Sequence, residues 1–287
     1  MLQTSTLQLL RFKFSFFLLP VYLFALSMLP QINIERAFLL FFILHFLVYP
    51  ASNGYNSFMD RDEQSIGGIK NPLKPTKQLF FVSITMDILA LALASYISFT
   101  SFLLLLLYIT FSRLYSFKGI RLKKYPIIGF LTVVINQGGT IFFLVYHSVS
   151  TQLTMNVPID GLVISTLLIG GFYPITQIYQ HEQDAKDGVK TISMLLGKRG
   201  TFLFCALLYS FSFRLLFLHF YYLNKINPFI VVQILFTPVI IYFVRWFLQV
   251  WKDETKANFE NTMKMNWLAS TLTNISFIVL IILNYYK

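Results

Sequence analysis

Nine long apolar segments occupy most of this 287-residue chain and limit what it can fold into. The hydrocarbon core of a bilayer is about 30 Å thick, so one helical crossing takes roughly 20 mainly apolar residues. Charged residues make up only 12% of the chain, against about 25% in an average soluble domain. We therefore predict an all-α, polytopic membrane bundle of about nine helices around a central cavity. The segments cover residues 14–30, 36–55, 79–97, 100–116, 127–147, 160–180, 201–222, 228–248 and 267–286.

No soluble domain or low-complexity tract interrupts these segments, so we expect a single domain over residues 1–287. The first segment follows Arg11 and Lys13, as in a signal peptide, but it is long, contains Pro20 and lacks a small-residue cleavage site. We expect it to be a retained crossing. The single cysteine, Cys205, lies inside the seventh segment, which excludes a disulfide framework and a cysteine metal site.

The net charge of +11 comes from the connections between segments and does not indicate a nucleic-acid partner. Nineteen of the 23 lysines and arginines lie in the N-terminal tail and in or beside the connections after segments two, four, six and eight. The positive-inside rule predicts that the N-terminus and these connections are cytoplasmic and that the C-terminus lies on the opposite side. The four remaining basic residues are Arg36, Arg214, Lys225 and Lys287.

Half of the twelve acidic residues lie in two clusters, at the ends of segments two and six. Both ends are on the predicted cytoplasmic side, and both are followed by long basic loops. Polar residues at a helix end often only meet solvent, but two such clusters on one side favour a shared binding site. The clusters are Asp60, Asp62 and Glu63, and Glu182, Asp184 and Asp187.

Each cluster belongs to a stripe of oxygen-bearing side chains at helical spacing. Asn56, Asp60 and Gln64 are separated by four residues each, so on a helix they share one face. Gln177, Gln180 and Asp184 form a similar stripe. Mg²⁺ binds through one or two carboxylates together with phosphate oxygens and water, while lysine and arginine hold the remaining phosphate charge. The two stripes therefore predict a metal-bound diphosphate.

At these residues the chain resembles the UbiA-type intramembrane prenyltransferases, which include 4-hydroxybenzoate polyprenyltransferase. The family carries Asn-Asp-x-x-Asp-x-x-x-Asp after its second helix, where this chain has Asn56 to Gln64. It carries Asp-x-x-x-Asp after its sixth helix, where this chain has Gln180 to Asp184 and then Gly188-Val-Lys190-Thr191. The basic stretch from Tyr115 to Pro126 is similar to the loop after the family's fourth helix.

The chain departs from both motifs. Gln64 and Gln180 stand where the family usually has aspartate, and Ser57 replaces an acidic residue. Each glutamine keeps an oxygen ligand but removes a negative charge, so metal affinity falls unless another carboxylate compensates. The candidates for that carboxylate are Asp62, Glu63, Glu182 and Asp187.

The resemblance implies transfer of a prenyl group from a prenyl diphosphate donor to an aromatic or other lipophilic acceptor, at a cytoplasm-facing site within the lipid bilayer. It implies a Mg²⁺ ion held by Asn56, Asp60, Asp62, Gln64, Gln180 and Asp184. It implies diphosphate contacts from Tyr115, Lys118, Arg121, Lys123 and Lys190, and catalytic roles for Asn56, Asp60, Asp184 and Lys190. A hydroxybenzoate, a naphthoate and a porphyrin or chlorin alcohol all remain open as acceptors.

The alternative is a non-catalytic family member that binds or transports a lipid. Transporters usually place their substrate near the bilayer midplane on broken helices, whereas these clusters lie at one face, which favours the enzyme.

Other polar residues lie within or beside the apolar segments. Asp87 and Arg214 are expected either to face the bundle interior, paired or unpaired, or to lie nearer an interface. Asn136 and Gln137 are candidates for an acceptor pocket or for ordinary helix packing. His181 is a candidate base or phosphate contact, whereas His45, His147 and His219 are expected to be structural.

Overall fold

The computed structural model describes residues 1–285, with side chains up to Asn284. Within this range the regular secondary structure is helical, and two isolated β-bridges join Ile32 with Ser150 and Ile66 with Ile69. Its α-helices are α1 (Thr4–Leu9), α2 (Leu19–Met28), α3 (Ile34–Phe42), α4 (Tyr49–Asp60), α5 (Lys77–Ile97), α6 (Phe99–Ser116), α7 (Pro126–Val134), α8 (Ile141–Val149), α9 (Ile159–Phe172), α10 (His181–Lys186), α11 (Ile192–Tyr222), α12 (Ile226–Lys252) and α13 (Phe259–Tyr285).

Shorter helical pieces connect or interrupt these elements. The 3₁₀ segments are Phe12–Leu18, Leu122–Lys124, Pro174–Gln177 and Glu254–Lys256, and the π-helical segments are Ile43–Val48 and Ile135–Thr140. The predicted position of the C-terminus, including Lys287, lies outside the described residues.

Nine spans within the described residues are long and apolar enough to cross a membrane, which confirms the predicted multi-pass helical architecture. They run over Thr4–Met28, Ile34–Asp60, Lys77–Ile97, Phe99–Ser116, Pro126–Val149, Ile159–Gln177, Ile192–Tyr222, Ile226–Lys252 and Phe259–Asn284. The seventh span begins nine residues before the predicted boundary at 201, because the helix continues through a kink at Gly197, whose φ is +69°. Residues with a side chain rarely adopt this backbone conformation, so glycine suits the kink.

The two π-helical segments lie in the middle of the second and fifth spans. Segments of this type widen a helix locally and frequently mark functional sites. The Ile135–Thr140 segment packs so closely on α9 that a Cβ atom on Gly138 would lie 2.6 Å from the Cα atom of Thr166. This close approach fixes the position of Asn136 and Gln137 on the same segment.

Asp87 faces the interior of the bundle, where it forms an ion pair. Asp87 of α5 is buried and accepts a hydrogen bond from Arg113 of α6. Arg113 also donates to the backbone oxygen of Ala51, and its guanidinium lies 4.3 Å from the ring centroid of Tyr55, both on α4. Arg113 therefore ties α4, α5 and α6 together. Arg214 is exposed and is not the partner of Asp87.

Candidate active site

The first acidic cluster begins at the C-terminal end of α4. We call this side of the bundle, where Asp60 and Asp184 line one cavity, the motif face. The helix stops at Asp60 because Arg61 adopts a left-handed conformation, with φ of 56°, and its N–H bonds to the Ser57 oxygen. The prediction that Gln64 continues the face of Asn56 and Asp60 is therefore wrong, since Gln64 lies beyond the turn and is exposed. Asp62, inside the turn, lines the central cavity.

The second stripe also lies on a broken helix and not on a continuous one. Helix α9 ends at Phe172, and a 3₁₀ turn beginning at Pro174 leads to α10. Pro174 has no N–H to continue the α-helical bonding, and the chain changes to 3₁₀ bonding, with the Thr176 N–H donating to the Tyr173 oxygen. Gln177, Gln180 and Asp184 nevertheless all line the same cavity as the first cluster.

A basic turn between α6 and α7 joins the two clusters. Lys123 Nζ lies 2.5 Å from Asp60 Oδ2, and an Arg121 nitrogen lies 3.3 Å from Asp60 Oδ1. Arg121 also donates to the backbone oxygen of Asp187 at 3.1 Å and lies 3.8 Å from its carboxylate. The side chain of Asp60 is only 2% exposed, so these two cations balance a buried charge.

Two other basic residues expected at the site lie apart from the cavity. Lys118 and Lys190 are both exposed, and neither lines it. Lys118 follows the end of α6, and Lys190 follows the turn at Gly188, whose φ is +66°.

The cavity between the clusters has a volume of about 190 Å³. It continues from the motif face inward between α4, α6 and the fifth span. Ser52, Tyr108 and Asn136 lie on its wall and are about 12–15 Å along their helices from that face, at the usual rise of about 1.5 Å per residue. Asn136 and Gln137, candidates either for an acceptor pocket or for helix packing, line this cavity together with Asn56, Asp60, Asp62, Tyr115, Lys123, Gln180 and Asp184.

Hydrogen bonds hold several of these side chains in place. Asn56 Nδ2 donates to Asp60 Oδ2 at 2.7 Å and to Ser116 Oγ at 2.9 Å. The hydroxyl groups of Tyr115 and Tyr173 are 2.5 Å apart, and Gln177 Nε2 donates to the Tyr173 hydroxyl at 2.7 Å. The walls contributed by α4, α6 and the sixth span therefore have fixed orientations.

The charged forms of Asp62 and Asp184 are both disfavoured by burial and by neighbouring carboxylates. Within the described residues neither carboxylate makes an ion pair or a side-chain hydrogen bond. Burial raises the pKa of Asp184 to about 7, with repulsion from Asp62 and Asp60 adding to the effect and Lys123 opposing it. Burial followed by repulsion from Asp60 raises the pKa of Asp62 to about 6. A cation between the two would relieve this cost.

The donor set fits a hard divalent cation that shares its ligands with a substrate. In the part of the chain that the structure describes, no three His, Cys, Asp or Glu side chains form a closed metal site. Mg²⁺ does not need one, because it usually keeps several waters and takes one or two carboxylates plus phosphate oxygens. Asp62 and Asp184 supply the carboxylates, and Asn56 and Gln180, which each carry an amide oxygen, line the same cavity.

Arg11 also lines the cavity, although its place in the sequence indicates only a basic N-terminal tail. Its guanidinium donates to the backbone oxygens of Asn53 at 3.3 Å and Gly67 at 3.4 Å, lines the cavity and lies within electrostatic range of Asp62. The sequence feature that indicates a role for Arg11 at the site is its position directly before the first apolar segment.

The histidines lie away from the cavity wall. His181 bonds to Ser193 Oγ at 2.8 Å, and burial lowers its pKa to about 4, so it is neutral at pH 7 and poorly suited to hold a phosphate. His147 contacts Ser98, and His219 contacts Asp160 at 2.5 Å. His45 stacks on a phenylalanine ring.

Solved structures of three proteins share this fold along nearly their whole length. A UbiA homologue from Archaeoglobus fulgidus bound to GPP and Mg²⁺ matches with a TM-score of 0.69 and 21% identity, over 97% of this chain and 99% of its own. A UbiA homologue from Aeropyrum pernix K1 without ligand matches with a TM-score of 0.69 and 17% identity, over 95% and 98%. A digeranylgeranylglyceryl phosphate synthase matches with a TM-score of 0.61 and 23% identity, over 99% and 98%.

Among curated protein sequences, none matches this chain. The family model for UbiA prenyltransferases does match it, over residues 16–268, which is most of its length. This range includes both acidic clusters and the basic turn between them. The chain is therefore a member of the UbiA prenyltransferase family, an enzyme family that transfers prenyl groups.

Proposed function

We propose that this enzyme transfers a prenyl group from a prenyl diphosphate to an aromatic or other lipophilic acceptor, and that the diphosphate binds between the two acidic clusters. The observation that carries the proposal is a pair of carboxylates, Asp62 and Asp184, that line one cavity with Lys123 and have no ion-pair partner among the residues that the structure describes. Such an arrangement is costly for the protein alone. It becomes favourable when a cation and a polyanion bind together.

We assign the metal to Asp62 and Asp184, with Asn56 and Gln180 as amide oxygen ligands. Asp60 contributes through its charge, because its oxygens already accept hydrogen bonds from Lys123, Arg121 and Asn56. A bound Mg²⁺ supplies a Lewis acid that withdraws charge from the diphosphate leaving group. The Archaeoglobus fulgidus homologue, with GPP and Mg²⁺, supports this chemistry. Asp62 supplies a negative charge for the metal, which the neutral Gln64 and Gln180 do not.

The protein's own groups act on the donor and on the developing cation. Lys123 and Arg121 stabilise the departing diphosphate by charge-assisted hydrogen bonds. The bond between the allylic carbon and the diphosphate oxygen breaks, and its electron pair leaves with the diphosphate. The acceptor supplies the electron pair of the new bond, and the proton it loses passes to the released diphosphate. The rings of Tyr115 and Tyr173, held by their mutual hydrogen bond, can stabilise the allylic cation.

Removal of divalent metal tests this proposal. With purified protein in lipid nanodiscs and labelled geranyl diphosphate, we expect Mg²⁺-dependent release of diphosphate that falls to background with EDTA and returns when Mg²⁺ is added in excess. The assay should include several aromatic and lipid acceptors, because release without transfer would report only hydrolysis. Metal-independent transfer would contradict the assignment of the metal.

Two lysines provide a matched comparison for the diphosphate. Lys123→Met should weaken donor binding by about 10- to 10²-fold, because it removes the proposed charge-assisted hydrogen bond from Lys123 to the diphosphate, a kind of bond worth about 1.5–3 kcal/mol. Lys190→Met should change it by less than about threefold, because an exposed lysine outside the cavity contributes little. The measurement is the KM for geranyl diphosphate at saturating acceptor. A larger effect at Lys190 would favour the motif-based expectation over the geometry.

A further inference from the structure

Arg214 is a charged residue on the outer surface of the bundle, far from the cavity between the acidic clusters. It belongs to an exposed stripe of α11 whose other members are apolar or aromatic and recur at helical spacing. Within the described residues, Arg214 makes no ion pair and no side-chain hydrogen bond. The other exposed members of the stripe are Leu207, Phe211, Phe217 and Tyr221.

The position of Arg214 along α11 places it inside the bilayer. The helix runs from the motif face to the opposite face, and Lys198 and Arg199 mark its charged end at the motif face. The hydrocarbon core takes about 20 helical residues, so a count from Thr201 puts its far boundary close to Phe220. Arg214 then lies about 9 Å inside that boundary, at the usual rise of about 1.5 Å per residue. An unpaired charge at this depth is costly, so Arg214 requires an anionic partner.

The end of α11 carries a second cation without a partner. An open concavity lies there, lined by Tyr221, Tyr222, Asn224, Lys225 and Ile226. Within the described residues, the Lys225 ammonium group makes no ion pair and no hydrogen bond. Tyrosine and lysine are typical of the headgroup level of a membrane. An arginine about two helical turns below this level can extend toward it, as long basic side chains near helix ends do.

The third described basic residue of this face is already held by the protein. Arg36 donates to the backbone oxygens of Ser150 at 2.7 Å and Thr151 at 2.9 Å. Arg214 and Lys225 are therefore the uncommitted cations of this face, within the described residues, and both belong to the end of one helix.

The acidic residues of the chain are poorly placed to pair with Arg214, either within one molecule or from a second copy. Nine of the twelve lie at the motif face. Of the other three, Asp87 is paired with Arg113, and Asp160 lies 2.5 Å from His219. Only Glu35 is left. An anion from outside the protein is the better match for the two cations.

We propose that the end of α11 binds the phosphate of an anionic phospholipid in the leaflet opposite to the motif face. Arg214 supplies positive charge from within the leaflet, and Lys225 supplies it at the surface. The hydroxyl groups of Tyr221 and Tyr222 donate hydrogen bonds to phosphate oxygens. The acyl chains lie along the exposed apolar stripe of α11. This lipid site is separate from the prenyl diphosphate site and does not depend on the proposed function.

Fluorescence quenching by brominated lipids tests the proposal. The reporter is the substitution Leu218→Trp, one turn beyond Arg214 on the same face of α11, and the signal of the parent chain is subtracted. The protein is placed in phosphatidylcholine nanodiscs that contain a minor share of brominated phosphatidylglycerol or of brominated phosphatidylcholine. We expect the reporter to favour phosphatidylglycerol by about tenfold in relative affinity, because each basic residue near an anionic headgroup contributes about fivefold. Equal quenching by the two lipids would overturn the inference.

Variants locate the preference at the two cations. Arg214→Gln and Lys225→Gln, each combined with the reporter, should lower the relative affinity about fivefold. Arg245→Gln is the matched control, because it removes an exposed arginine from α12 near the motif face and should leave the preference unchanged. Circular dichroism checks that each variant is folded. A double variant, Arg214→Gln with Lys225→Gln, that keeps the preference would contradict the proposal.

Three further outcomes would also overturn the proposal. Displacement of the lipid by inorganic phosphate would assign the two cations to a free anion. A dimer that dissociates on Arg214→Gln, measured by mass photometry, would assign Arg214 to a second copy of the chain. A loss of stability of Arg214→Gln in micelles without phospholipid would give Arg214 a role in the fold itself. None of these measurements uses prenyl transfer, so their failure leaves the proposed function standing.

Discussion

Replacing Asp62 or Asp184 with asparagine is expected to lower kcat/KM for prenyl transfer by about 10³-fold, the scale seen when a group that stabilises developing charge is removed. Both carboxylates line the cavity, and neither has an ion-pair or hydrogen-bond partner in the described part of the chain. Asparagine keeps the shape and one oxygen but removes the charge that holds the metal. Because burial already raises the pKa of both groups, removing their charge should not destabilise the fold.

The chain supplies matched controls for both substitutions. Glu63→Gln and Glu182→Gln remove one charge each from the same two loops, but both residues are exposed and lie outside the cavity. Each should change kcat/KM by less than about threefold, because charges that are exposed to solvent outside the cavity are largely screened by salt. Gln64→Leu should behave in the same way. If Gln64→Leu costs as much as Asp62→Asn, the motif position and not the cavity wall determines the ligand.

Breaking the ion pair inside the bundle should have the largest effect on stability. Arg113→Met leaves Asp87 buried without its partner, and such uncompensated charges typically cost about 3–5 kcal/mol. The variant also loses the hydrogen bond to Ala51 and the contact with the ring of Tyr55. Because both lie on α4, the loss should also loosen the helix that carries Asn56 and Asp60.

The double variant Asp87→Leu with Arg113→Met separates charge burial from packing. Replacing both members of a buried pair by apolar groups is often nearly neutral, so we expect it to recover most of the lost stability. Arg214→Met, at an exposed position on α11, is the control. The measurement is unfolding in mixed micelles titrated with SDS. A double variant as unstable as the sum of the single variants would contradict the account.

The crossings could be predicted from the sequence because segments as apolar as 100–116 have few alternatives to a membrane helix. Kinks and π-helical segments within the helices could not be predicted as well from the sequence. The early start of α11 depends on the kink at Gly197, and the π-helical segments have no clear sequence signal. The partner of Asp87 is also hard to predict, because Arg113 lies near the end of its helix and, in sequence, belongs with the basic loop that follows.

The site was only partly predictable, for a similar reason. Helical spacing placed Asn56 and Asp60 on one wall, but the pattern does not reveal that Arg61 adopts a left-handed conformation. That single backbone conformation takes Gln64 out of the site. The exposure of Lys190 and the approach of Arg11 depend on how loops fold over the cavity, which residue spacing does not encode.

The central claim is that Asp62 and Asp184 together hold the metal despite the two glutamines. The most direct test is the anomalous difference density of Mn²⁺ in crystals of the protein with a thio analogue of geranyl diphosphate. The account predicts a peak in the cavity within ligand distance of the Asp62 and Asp184 carboxylates, which disappears in Asp62→Asn. A peak beside Gln64 or Glu63, or one that persists unchanged in Asp62→Asn, would contradict it.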